Sequence, residues 1–115
     1  MAKKQGKKIL KNRVEAIKKI LDDKKAENIE VIDLKDKNYI VDTVIIATTL
    51  NSKHGFSLTN YLKEGLKPLG EQFLRVDEDD SWTIVDLGDI LIHLMSEEYR
   101  AKYTIEEFLG ELEKN

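Results

Sequence analysis

Residues 82–95 read Trp82-Thr-Ile-Val-Asp-Leu-Gly-Asp-Ile-Leu-Ile-His-Leu-Met95. β-Branched and apolar residues dominate both flanks, and Asp86-Leu87-Gly88-Asp89 interrupts them with residues suited to a tight turn. The stretch therefore reads as a two-stranded hairpin. Its turn holds two carboxylates, Trp82 is the only tryptophan, and His93 is one of two histidines. Residues that build a core and residues fit for display are combined in one element.

Working outward, Gln72–Val76 reads as a strand and Asp77–Asp80 as a solvated loop. Further upstream, Asn51 and Ser52 offer an N-cap for a helix whose apolar positions Leu58, Tyr61, Leu62, Leu66 and Leu69 keep the helical period. Pro68 stops that helix near Lys67, with Gly70 beyond it. Thr43–Thr49 is apolar without alternation, which predicts a central strand covered on both faces. Ile29–Leu34 is a strand by its β-branched content, and Asp36-Lys-Asn38 supplies turn chemistry. Leu10, Val14, Ile17, Ile20 and Leu21 form one stripe of an amphipathic helix from about Ile9 to Lys25. Downstream, Ser96 caps a short helix containing Tyr99 and Tyr103. Thr104-Ile-Glu-Glu107 has capping-box spacing for a last helix through Leu112.

This order predicts a single α/β domain with a mixed sheet of about five strands flanked by helices. Thr43–Thr49, the following helix and Gln72–Val76 make one right-handed βαβ crossover, and the hairpin forces antiparallel pairing. The domain is expected over residues 9–112, with a flexible basic arm at 1–8 and a tail at 113–115.

At 115 residues the chain has room for one core. The absence of cysteine excludes a disulfide framework and a thiolate zinc site, and fits a reducing compartment. No apolar run approaches the roughly 20 residues of a membrane span, so a cytoplasmic protein without membrane contact is expected. The net charge of −3 hides an asymmetry. Residues 1–25 carry 10 Lys/Arg against 3 Asp/Glu, and residues 26–115 carry 9 against 19. An acidic body repels nucleic-acid phosphates and favours basic proteins as partners, so direct RNA contact is expected to be minor. The basic arm is the one segment suited to RNA, although it also fits a solubilising tail.

Asp86 and Asp89, with Asp42 approaching from the central strand, are the candidates for holding a divalent cation and performing metal-dependent nucleotidyl transfer. Asp and Gly are also what such a turn needs for its own backbone. His93 lies on one face of an apolar strand, where a hydrogen-bonded structural role is the ordinary one. No helical His pair, nucleophile elbow or phosphate-binding glycine loop is present. Trp82, beside the acidic loop, has the character of an interface anchor, and Leu87 at the turn would extend an apolar centre with an acidic rim.

The strings Asp42-Thr-Val-Ile-Ile-Ala-Thr48, Ser52-Lys53-His54, Trp82-x-x-x-Asp-x-Gly-Asp-x-x-x-His93 and Tyr103-x-x-Glu-x-x-Leu109 resemble the Iojap-related ribosomal silencing factors. The resemblance covers roughly Asn12 to Leu109. It implies a nucleotidyltransferase-like fold without the catalytic motif, no enzymatic activity and no cofactor or metal. It further implies binding to the large ribosomal subunit through large-subunit ribosomal protein fourteen, which sterically blocks subunit joining and represses translation under nutrient limitation. Carried onto matching positions, the partner-binding surface would include Lys53, Trp82, Asp86, Leu87, Gly88, Asp89, Glu98, Tyr99 and Tyr103. Thr49-Leu50-Asn51 and Gly55-Phe56 depart from the small and aliphatic residues usual in the family. A homodimer of the free protein, through an exposed sheet or helix face, is a second partner class compatible with this fold.

Overall fold

Thr43–Thr49 forms β2, and all seven of its residues are buried. This is the outcome its unbroken apolar pattern predicts for a strand covered on both sides. The computed structural model describes the backbone of residues 2–37 and 39–114 and the side chains of 11–37 and 39–112. The elements run α1 (Ala2–Asp23), β1 (Glu27–Asp33), β2, α2 (Ser52–Leu66), β3 (Arg75–Asp77), β4 (Trp82–Asp86), β5 (Ile90–Ser96), α3 (Glu97–Tyr103) and α4 (Ile105–Lys114). The strands make one sheet of order β1-β2-β5-β4-β3. β2 and β5 are parallel, while β1–β2, β4–β5 and β3–β4 are antiparallel, so the sheet is mixed as expected.

The crossover differs from expectation. β3 runs in the direction of β2, as two antiparallel steps from β5 require, but it lies at the far edge and pairs only with β4. β2 pairs instead with β5 along seven residues, from Thr43 with Ile90 to Thr49 with Ser96. The physical reason is burial. Ile90–Met95 is nearly as continuously apolar as β2, so these two strands share the sheet centre, while the short charged β3 is placed at an edge.

Each face of the sheet has its own helical cover. Ile45, Ala47, Val85, Ile90, Ile92 and Leu94 pack with Ile17 and Leu21 of α1 and Leu58, Leu62 and Leu66 of α2. Gly65 permits the close approach of α1, since a Cβ there would lie 2.7 Å from Ile20 Cδ1. On the other face, Val44, Ile46 and Met95 pack with Ile32, Leu34, Val41, Tyr99, Ile105 and Leu109. Full burial of each such Leu or Ile contributes about 1.5–3 kcal/mol, so the two clusters hold the layers together.

The helix ends follow the sequence with three corrections. Asn51 caps α2, its Oδ1 accepting from the His54 N–H at 2.8 Å. A 3-10 turn at Lys67–Leu69 contains Pro68 and ends on Gly70 at φ 94. Ser96 Oγ accepts from the Tyr99 N–H at 3.1 Å. Thr104, expected as a capping-box N-cap, does precede α4, its carbonyl accepting the Glu107 N–H at 3.0 Å, but at φ 41 it also closes α3, its N–H donating to Arg100 O at 3.0 Å. The helical backbone of α1 begins at Ala2 rather than near Ile9, and α4 runs to Lys114. The side chains of residues 1–8 and 113–115 lie outside the described residues, as does Asn38 of the expected turn.

Candidate functional site

Residues opposite one another across antiparallel strands share a face. Trp82 lies opposite Met95, Ile84 opposite His93, and Asp86 opposite Leu91. α3 and α4 cover the β1–β2 side of this face, and toward β3 it opens, leaving Trp82, Ile84, Asp86 and Leu91 half-buried. Thr83 and Val85, pointing the other way, are buried. The hairpin is thus sealed on one side and accessible on the other.

At its upper end the accessible side carries an aromatic cluster. The Trp82 indole N–H donates to His93 Nδ1 at 2.9 Å, with ring centroids 5.8 Å apart. Tyr103 of α3 stacks obliquely on Trp82 at 5.4 Å, and Tyr99 meets Tyr103 edge-on at 5.5 Å. Tyr103 is 45% exposed, and Glu98, which precedes Tyr99 in α3, is exposed. His93 is 7% exposed, and burial pushes its pKa down to about 4. The ring is therefore neutral at pH 7, and because Nδ1 accepts, its proton sits on Nε2. The tryptophan spends its polar group internally and offers its ring outward.

The turn at the lower end is built differently from the expectation. Leu87 is 7% exposed and belongs to the core cluster beneath α1 and α2, so its side chain is not part of a displayed apolar centre. Gly88 adopts φ 97, a left-handed conformation that glycine accepts without strain. Asp86 Oδ1 accepts the Gly88 N–H at 2.8 Å. Asp89 is not a free acidic rim. Both its oxygens are held by Arg13 of α1, at 2.7 and 2.8 Å, and the same guanidinium grips Glu71 at 2.6 and 2.9 Å. The bonds from Arg13 hold the Asp89 carboxyl below the usual range, and those from Asp89 and Glu71 raise the pKa of Arg13. The Asp89 carbonyl also accepts the N–H groups of Asp42 and Thr43, at 3.0 and 3.2 Å. Asp89 therefore ties α1, β2 and the hairpin together.

The structure consequently divides the expected surface. Trp82, Glu98, Tyr99 and Tyr103 gather at one end of β4, and Asp86, Gly88 and Asp89 at the other, about 13 Å away along the strand. Lys53 is exposed on α2, whose buried residues pack on the opposite face of the sheet. The carboxylate trio Asp42, Asp86 and Asp89 is not assembled for metal chemistry. Arg13 occupies Asp89, and among the described residues no group of three His, Cys, Asp or Glu could hold a metal ion.

Two arginines were absent from the sequence reading. Arg13 stands four residues before Ile17, which stands four before Leu21, so an arginine lies on the apolar stripe of α1. Such a placement requires buried anions, and that was the available signal. Arg100 is 7% exposed, donating to the Asn28 carbonyl and to Thr48 Oγ1 at 2.8 Å and reaching Glu106 at 3.4 Å. It bolts α3 to the irregular start of β1, where Asn28 has φ 48.

The family model described as ribosomal silencing factor during starvation, RsfS, matches residues 7–115. The chain belongs to the RsfS family. RsfS of Halalkalibacterium halodurans is 29% identical over 93 residues, 79% of this chain and 80% of that protein. The mouse protein named mitochondrial assembly of ribosomal large subunit protein 1 is 25% identical over 99 residues, 82% of this chain and 43% of that longer protein. A crystal structure of a Chromobacterium violaceum protein matches with a TM-score of 0.81 at 26% identity, covering 87% of this chain and 85% of that one. The RsfS family comprises non-enzymatic regulators. Among the described residues no helix is long and apolar enough to cross a membrane.

Proposed function

We propose that this chain binds the large ribosomal subunit and silences translation by occupying the face on which the small subunit would dock. Large-subunit ribosomal protein fourteen is the partner surface, and the mechanism is steric exclusion under nutrient limitation in the compartment that holds the ribosomes, the cytoplasm. Membership of a family named for ribosomal silencing supports the ribosome as target, and the mouse relative's name supports the large subunit.

The observation that carries the surface is the half-exposed strip from Trp82 through Ile84 and Leu91 to Asp86, with Tyr99 and Tyr103 at its upper end. An aromatic anchor flanked by apolar residues is the composition of an interface centre. Asp79, Asp80 and Glu98 are exposed around it and would steer a basic partner toward it.

The test is co-sedimentation of the protein with purified large subunits, followed by a subunit-joining gradient with and without it. Binding together with reduced joining is the expected result. Joining that is unaltered at saturating protein removes the silencing proposal, and undiminished binding by Trp82→Ala removes the assigned surface.

A further inference from the structure

The proposed role sets an electrostatic problem. Residues 26–115 carry a net charge of −10 by their Lys/Arg and Asp/Glu content, whereas RNA flanking a ribosomal protein presents phosphates. A body of that charge is repelled from the surroundings of the protein on which it docks. Residues 2–12 hold Lys3, Lys4, Lys7, Lys8 and Lys11 and no acidic residue.

The two halves of α1 differ in how they treat charge. From Glu15 onward lysines are matched along the helix, Lys18 with Glu15 at 3.9 Å and Lys19 with Asp23 at 3.2 Å. Residues 2–12 offer no acid for such matching within the segment, and the first turn has none to complement the helix dipole. Positions 3, 7 and 11, and 4 and 8, are like-charged neighbours four apart, an arrangement that destabilises an isolated helix. At about 100° per residue the five lysine positions fall within about 140° of the helix circumference. A sequence chosen for helix stability alone would mix signs there. One-sided positive charge in a segment without acids fits a polyanion.

The placement of α1 gives this charge a direction. Arg13 is bonded to Asp89 at the turn end of the hairpin, and the carbonyl of Lys24 is bonded to His54 at the other end. The helix axis therefore carries residues 2–12 out past the turn end of the hairpin, about 16 Å long as helix, from the face of the sheet opposite the strip assigned to docking.

We propose that the lysine segment at residues 2–12 is a second foothold that binds RNA phosphates, offsetting the repulsion of the acidic body when the hairpin face docks on its protein partner. The inference rests on the ribosome-binding reading above. Phosphate neutralisation by four or five lysines gives a log–log salt slope of about −4, a loss of roughly 250-fold between 50 and 200 mM salt.

The experiment uses the full chain and a labelled RNA duplex, with fluorescence anisotropy read across that salt range. The same salt series is run on co-sedimentation with large subunits. Lys→Glu at Lys3, Lys4, Lys7 and Lys8 should abolish duplex binding and flatten the subunit salt slope. Lys→Arg at the same positions should preserve both. Equal duplex affinity and equal subunit salt slope for native and Lys→Glu proteins overturn the proposal. So does binding to phosphatidylserine vesicles without binding to the duplex. Lysine-dependent duplex binding with no capture of large subunits supports the foothold and overturns only the docking reading. Subunit capture lost in Trp82→Ala but indifferent to the lysines does the reverse.

Discussion

The indole N–H of Trp82 reaches Nδ1 of His93 across the β4–β5 pair, 2.9 Å away. The bond exists only while the imidazole is neutral. In the folded state burial lowers the His93 pKa from 6.5 to about 4, so the folded ring stays neutral where an unfolded one takes a proton. The unfolded state then binds more protons between pH 6.5 and 4. Stability is complete above pH 6.5 and declines toward pH 4, by about 3 kcal/mol in total. Urea midpoints measured across this range should show that decline in the native protein and a shallower one in His93→Gln. Parallel pH dependence in the two proteins would exonerate His93. Emission of the single tryptophan should change over the same interval.

Arg13 joins α1 to the hairpin through Asp89 and to the chain after α2 through Glu71, whose side chain is 8% exposed. Arg13→Ala leaves Glu71 without its cation. Because Arg13 and Asp89 are partly solvated, the loss is set at about 1–3 kcal/mol, below that for a fully buried pair. Arg13→Lys should recover only part, since a single ammonium cannot grip two carboxylates with a fork. Chemical denaturation ranks the three proteins, and an Arg13→Ala midpoint equal to native would show that the fork contributes nothing.

Gly88 and Gly70 both have positive φ, 97 and 94, but differ in surroundings. A Cβ on Gly88 would lie 3.2 Å from Leu74 Cδ1, whereas one on Gly70 meets nothing within 4 Å. Gly70→Ala is expected to cost about 1 kcal/mol of backbone strain, and Gly88→Ala more, through strain and contact together. Equal melting temperatures for the two variants would contradict this ordering.

Trp82 and Leu87, both apolar and both in the hairpin, should fail in opposite ways. Trp82→Ala is expected to weaken large-subunit binding by about 2 kcal/mol, roughly 30-fold, with the fold retained. Leu87→Ala should lower stability by about 2–5 kcal/mol and leave binding intact below its melting temperature. Binding loss without destabilisation in Leu87→Ala would return that residue to the interface.

Much of this was legible in the chain. The unbroken apolar run Thr43–Thr49 announced a central strand, Asn51 and Ser96 announced their helices, and the Trp82–His93 string carried the family resemblance. The strand order was not legible, because β2 and β5 are separated by the whole of α2, β3 and β4, and no local pattern records which distant strand a given one will join. Leu87 and Asp89 were misplaced for the same reason. Turn chemistry explains a Leu-Gly-Asp sequence equally well whether the leucine faces solvent or core.

What the sequence alone determined is the inventory: one mixed α/β sheet, its most apolar strands, its helix caps, the family, and a basic segment ahead of an acidic body. These follow from periodicity, turn chemistry and charge, which act over a few residues. Only the tertiary structure decided that Arg13 claims Asp89, that Leu87 turns inward, and that Trp82 gives its N–H to His93. Those partners are 76 and 11 residues apart in the first and last cases. Their meeting depends on how two packed layers close over the sheet, a choice made by burial of the whole core and not by any stretch of it.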